Sequence, residues 1–172
     1  MNYTNTFSYK GWSLNLSVQH TSGGDIYSTT IATLMGRGLT TDTEDRLSTY
    51  ILPGVTATGE VNDVQINNSN FYFDNGFASP ANELSVYDAS VVRLREVSFG
   101  YSLPSKMLEN TPFGKVVFKA SAYNMWYDAY NTPDGINFDP NTTALGDSNG
   151  QGFDYLTGPS SKRYGMSVNL SF

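Results

Sequence analysis

The chain has no cysteine and one histidine, His20. Without thiols there is no disulfide framework and no thiolate metal site, and a lone imidazole cannot assemble a zinc centre or a histidine-based triad. No run of 18 apolar residues occurs, which excludes a transmembrane helix. Basic residues are scarce, 10 Lys and Arg against 16 Asp and Glu, for a formal net charge of −6. A phosphate backbone needs a basic patch to neutralise it, so nucleic acid is excluded as the partner. The opening residues MNYTNTFSYKGW lack a basic segment followed by an apolar core. They read as a strand rather than a signal peptide, as though the chain begins inside a structure.

Aromatics are plentiful at 14%, with 12 Tyr and 10 Phe, and the polar residues are mostly Ser, Thr, Asn and Gly. Such a mixture suits pleated sheets and turns. Five strands are predicted. Residues 2–9 place Tyr3, Asn5, Phe7 and Tyr9 on one face, and Lys10-Gly11 makes a tight hairpin turn. In WSLNLSVQH, Trp12, Leu14, Leu16 and Val18 alternate with small polar residues. The third strand lies in residues 89–104, its clean part carrying Val97, Phe99, Tyr101 and Leu103 on one face and ending at Pro104. A short connection follows, with a helical turn capped by Ser105. The fourth strand covers about 115–124 and the fifth is the terminal RYGMSVNLSF. Between the second and third strands, 21–88 reads as an elaborate loop with a two- to three-turn helix ending at Gly36 or Gly38 and one short hairpin. Residues 125–160 read as a second long loop.

Connections therefore alternate short, long, short, long. That pattern fits an all-β, antiparallel up-and-down wall of an outer-membrane barrel, with tight turns on one side, long loops on the other, apolar side chains toward lipid and small polar ones toward a wet lumen. The two long connections hold fourteen of the 16 acids. The terminal alternation Tyr164, Met166, Val168, Leu170, Phe172 ends on an aromatic, as an assembly signal for such a barrel would. A barrel's last strand pairs with its first, so no free edge remains.

Catalytic signatures are missing. No pair of carboxylates is nominated for glycoside hydrolysis, and GRG and GDSNG do not open helices after strands as phosphate loops do. DGINFD and DPNTTALGDSNG supply oxygens but not the spacing of an EF-hand, so they read as turn chemistry. No cofactor and no metal site is expected. Trp126, Tyr127, Tyr130, Phe138 and Tyr155 in the second loop, with Tyr72 and Phe73 in the first, are the ligand candidates, because aromatic faces stack on sugar rings or peptide side chains.

Several stretches together resemble the C-terminal end of the SusC/RagA-type TonB-dependent outer-membrane transporters of Bacteroidetes. They are FSYKGWSLNLSVQHTSGGDIYS, VVRLREVSFGYSLPSKML, KASAYNMW, FDPN and SSKRYGMSVNLSF. The resemblance implies that 1–172 is the last part of a barrel of about 22 strands, lacking the plug and the earlier strands, since five strands cannot close. It also implies a nutrient importer in the Gram-negative cell outer membrane, for oligosaccharides or peptides, and not an enzyme. The implied partners are outer-membrane lipid, a SusD-like surface lipoprotein, a TonB-type energy transducer and the outer-membrane assembly machinery. Two alternatives are a secreted soluble β-sandwich that binds glycans and an adhesin or structural outer-membrane protein. The sandwich requires the apolar strand faces to be buried on a second sheet.

Overall fold

The computed structural model describes residues 1–74, 85–133, 135–146 and 148–172. In chain order the elements are β1 (Asn2–Tyr9), β2 (Trp12–Thr21), β3 (Asp25–Ser28), α1 (Thr29–Gly36), β4 (Thr49–Ile51), β5 (Gln65–Asn67), β6 (Val86–Asp88), β7 (Val91–Ser102), α2 (Ser105–Leu108), β8 (Lys115–Asp128), β9 (Phe153–Asp154) and β10 (Arg163–Ser171). They fall into two compact units. One holds Met1–Ser22, Ser90–Tyr130 and Pro159–Phe172; the other holds Gly23–Ala89 and Asn131–Gly158.

The first unit is a five-stranded sheet in the order β1-β2-β7-β8-β10, every neighbouring pair antiparallel. Its sequential, up-and-down order is the one predicted. Period-two patterning explains the two faces, because directly paired residues of adjacent strands point the same way. One rung runs Tyr9, Trp12, Tyr101, Phe118, Val168; the next runs Phe7, Leu14, Phe99, Ala120, Met166; a third runs Asn5, Leu16, Val97, Ala122, Tyr164. Trp12 stacks on Phe99 with ring centroids 5.0 Å apart and lies 4.1 Å from Tyr101. Opposite rungs are small and polar: Thr6, Asn15, Ser98, Ser121, Gly165, and Ser8, Ser13, Gly100, Lys119, Ser167.

At the β1–β2 turn both central residues have positive φ, 44° at Lys10 and 87° at Gly11, the geometry that matches strand twist in a two-residue hairpin. A Cβ on Gly11 would stand 2.8 Å from the Ser102 carbonyl oxygen, which itself belongs to the next strand. Gly11→Ala is therefore expected to destabilise the sheet by about 1–3 kcal/mol, from left-handed strain and the clash together. The measurement is the midpoint of denaturant unfolding followed by tryptophan fluorescence.

β7 falls within the predicted 89–104 and runs past the cleanly alternating part, and β8 exceeds its predicted 115–124, for one reason. Between the same two rungs β2 uses two residues (Leu16 to Val18), β7 three (Val97 to Leu94) and β8 four (Ala122 to Trp126). Bulges at this level leave Arg95 unpaired on β7 and put Asn124 at φ 54° on β8. Here the sequence alternation breaks while the structural alternation of faces continues. Hence β7 starts at Val91 and β8 runs on to Asp128. At the other end α2 is capped by Pro104, and Ser105 is its first residue rather than its cap.

The two long connections are not open loops, as the sequence suggested. They build the second unit. β3 pairs antiparallel with β6 and parallel with β9, and β4 pairs with β5 in the expected hairpin. Helix α1 starts where the Ser28 side chain accepts the Ile31 N–H and ends with the Gly38 N–H returning to the Met35 carbonyl. Its inward face, Ile31, Ala32 and Met35, packs with Ile26 from the first connection and with Ile136 and Phe138 from the second. These apolar residues are too sparse along either segment to show a period, and the core exists only once the two segments meet.

Candidate functional site

The first unit offers a wall with two chemically different surfaces. On the apolar surface the aromatic and aliphatic side chains stand out: Tyr9 is 69% exposed, Tyr164 71% and Met166 93%, and Phe7, Trp12, Phe99, Phe118, Val168 and Leu170 are also exposed. A β-sandwich would bury these rungs, so their exposure removes the sandwich reading. On the polar surface Thr4 and Ser17 share a hydroxyl hydrogen bond, the Thr6 hydroxyl donates to Asn15, and Lys119 pairs with Glu96 at 3.5 Å. Small residues keep that surface open; a Cβ on Gly100 would meet Ser13 Oγ at 2.6 Å.

Terminal residues Tyr164, Met166, Val168 and Leu170 all lie on the apolar surface of β10, as the alternation requires. Phe172 follows the strand and packs against Phe113, ring centroids 5.4 Å apart, beside the Gly114 N–H bond to the Ser171 carbonyl. The terminal aromatic thus sits at the short-turn end of the sheet.

The aromatic ligand candidates separate into different environments. Trp126 and Tyr127 are in β8, not in a loop. Trp126 pairs with Leu94 and belongs to the apolar surface, whereas Tyr127 pairs with Arg93 on the polar one. Tyr130, just past the strand, holds its hydroxyl 3.0 Å from His20 Nε2, which accounts for the single histidine at the strand end. In the second unit Phe138 is only 9% exposed and forms part of the core, so it faces no solvent-borne ligand. Tyr155 is exposed. Tyr72 stacks edge-on against Phe71 and lines a cavity of about 230 Å³ with Met35, Arg37, Arg46 and Asn68. The side chain of Phe73 lies outside the described residues.

Several polar groups of the second unit are committed to structure. Asp154, 1% exposed, accepts from Ser28 Oγ at 2.6 Å, from the Thr30 N–H at 3.1 Å and from the Thr157 N–H and hydroxyl. It therefore ties the second connection to the start of α1. Burial pushes its carboxyl up, but the bonds from Ser28, Thr157 and Thr30 outweigh that and hold it below the ordinary carboxylate range. Burial pushes the Tyr87 hydroxyl up to about 12, with Tyr72 and Asp42 adding to it. In the DPNTTALGDSNG stretch, Asp139 accepts the Asn141 N–H on its side chain and the Thr142 N–H and hydroxyl on its carbonyl, which is turn chemistry. Asp147 of that stretch and Asp134 lie outside the described residues. Among the described residues no group of three or more His, Cys, Asp or Glu is placed to hold a metal ion, and no helix is long and apolar enough to cross a membrane.

No protein-family model matches the chain. Known proteins nevertheless share its sequence and its fold. A TonB-dependent receptor named P3, from Formosa agariphila, is 28% identical over 181 aligned residues that take in all of this chain and 16% of the relative. The chain is similar to the SusC/RagA-type TonB-dependent transporters. The RagAB peptide importer in its open-open state superposes with a TM-score of 0.55 at 17% identity, covering 99% of this chain and 17% of that one. Its closed-closed state gives 0.52 at 16% identity over 98% of this chain. At such identities the superpositions establish the fold: the chain has the strand arrangement of part of a transporter barrel's wall, five strands of it, unclosed. It spans about a sixth of the length of the relatives it matches.

Proposed function

We propose that residues 1–172 are the C-terminal stretch of the barrel of a TonB-dependent nutrient importer in the cell outer membrane of a Bacteroidetes-like, Gram-negative bacterium. The carrying observation is the pair of sheet faces. Rungs of exposed Tyr, Trp, Phe and Met on one side suit lipid with an aromatic belt, and Ser, Thr, Asn and Gly on the other suit a wet lumen. Substrate is an oligosaccharide or a peptide; the RagAB structures are of a peptide importer. In this reading a SusD-like surface lipoprotein helps capture the substrate and a TonB-type transducer supplies the energy. In this reading the two long connections are the outer loops, and Tyr155 and Tyr72 are the aromatic contacts left available in them. The chain's part in this is transport and not catalysis.

The terminal strand tests the assignment. Deleting Phe172 from the full-length protein removes the aromatic stacked on Phe113 at the short-turn end and is expected to reduce folded protein in the outer membrane several-fold. Molecules that do insert should capture substrate normally. Tyr155→Ala is expected to do the reverse, inserting normally and capturing less. Heat-modifiable gel mobility of membrane fractions and substrate binding to intact cells read the two effects. Normal insertion with lost binding after deletion of Phe172 would overturn the assignment of β10.

A further inference from the structure

The bulged rungs form a built place on the polar wall. Arg95 is the residue left unpaired by the bulge on β7, and it lines a hollow of about 450 Å³ together with Glu96, Tyr123, Asn124, Thr4 and Arg163. Bulges commonly re-aim a side chain. Here the re-aimed side chain is a guanidinium that joins a second one from β10. Arg163 lies over the Tyr123 ring, 5.6 Å from its centroid, so an aromatic shelf holds its plane. Asn124 stands at the edge of the hollow in the left-handed conformation, which an Asn tolerates at modest strain. Neither Arg95 nor Arg163 has an ion pair among the described residues, and the one carboxylate in the hollow, Glu96, is taken by Lys119 at 3.5 Å. Two forked cations without ion pairs and a tyrosine face make a recognition set for a planar oxyanion, while the Thr4 hydroxyl is shared with Ser17 and the Asn124 amide donates to the Ser161 carbonyl at 3.5 Å. The volume is that of a small-molecule site, and its residues sit on strands, which fix side chains more firmly than loops do.

We infer that this hollow is a carboxylate-binding station on the lumen wall, gripping an acidic unit of the substrate between Arg95 and Arg163. The inference rests on the barrel reading and narrows its substrate to one that bears a carboxylate. Two sources share that chemistry, a uronic acid residue of an oligosaccharide and the C-terminus of a peptide.

The experiment uses the full-length protein purified from outer membranes in detergent. Calorimetry compares a short oligouronate with its carboxyl-reduced twin, and a short peptide with its C-terminal amide. One acidic probe is expected to bind at least about tenfold more tightly than its neutral twin, and which pair does so identifies the source. Arg95→Gln and Arg163→Gln should each remove about tenfold of that preference, the scale of one charge-assisted hydrogen bond. Arg95→Lys should retain part of it. These 172 residues hold no cysteine, so in full-length protein whose remaining cysteines, where present, are changed to Ser, Arg95→Cys adds a second readout: a small water-soluble thiol reagent should label it, and the acidic probe should protect it. Equal binding of both twins, a preference that survives both substitutions, or an Arg95→Cys that is unreactive without ligand, meaning another protein segment covers the hollow, would each overturn the station. Heat-modifiable mobility is scored on the same samples. A folded barrel without the preference overturns the station alone, and absence of the folded band overturns the barrel reading and the station with it.

Discussion

Phe99→Arg is expected to abolish most insertion of the full-length protein, while Thr6→Arg on the opposite face is not. Phe99 stands on the exposed apolar surface between Leu14 and Ala120, with Trp12 stacked on it. If lipid covers this rung, a guanidinium there costs about 2–4 kcal/mol near the bilayer midplane, and the lost Trp12 stacking adds about 0.5–1.5 kcal/mol. Together these come to about 2.5–5.5 kcal/mol, a large share of the about 5–15 kcal/mol of an ordinary domain. In a water-exposed sheet only the lost stacking, about 0.5–1.5 kcal/mol, would remain. Thr6 is exposed on the polar face and gives up only its hydrogen bond to Asn15. The folded fraction on heat-modifiable gels and the urea midpoint in micelles check both variants; equal, small effects would show that the apolar face meets water.

A second large effect is expected at Asp154. Asp154→Ala strips the acceptor from Ser28 Oγ, the Thr30 N–H and Thr157, leaving buried donors unpaired. At about 1–3 kcal/mol for each unsatisfied group, and allowing for relaxation, the second unit should lose about 3–5 kcal/mol. Partial proteolysis within 23–89 and 131–158 should accelerate while the sheet stays resistant. The carboxylate also sets a pH dependence. Its folded pKa is depressed, so the stability it contributes is fully present above the unfolded value near about 3.9 and is lost as pH falls through the folded value. Protection of the second unit against an acid protease should therefore weaken below about pH 4. Asp154→Asn, which cannot titrate, should flatten that acid limb while lowering protection at neutral pH.

The strands and their order were legible because each carries its own signal. Trp12, Leu14, Leu16 and Val18 alternate without interruption, and Lys10-Gly11 marks the turn beside them. Clean alternation failed at the bulges, where Leu94, Arg95 and Glu96 break the period, although the strand read within 89–104 does pair on to Val91. Legibility failed in the long connections. Ile26, Ile31, Ile136 and Phe138 form one core, but no local pattern announces contacts between residues more than a hundred positions apart. Among the ligand candidates, aromaticity alone could not separate Phe138, a core residue, from Tyr155, an exposed one. What would have helped was the neighbourhood: Phe138 sits near Ile136, whereas Tyr155 is set among turn residues. The polar wall was visible as a row of small residues, but Arg95 joins it only through a bulge that the sequence does not advertise.

The tie between Ser28 and Asp154 spans 126 residues of chain, and this has a consequence in time. Closing so long a loop costs configurational entropy before any contact rewards it. The segment carrying Ile26 and α1 leaves the ribosome well before its partners Ile136, Phe138 and Asp154 exist. Until they arrive, its apolar face has only half a core to bury against. The hairpin of β7 and β8 lies between the two segments in the chain and draws their ends toward each other once it pairs. The second unit is thus expected to mature only after β7 has paired with β8, and proteolysis during refolding is expected to cut first within 23–89.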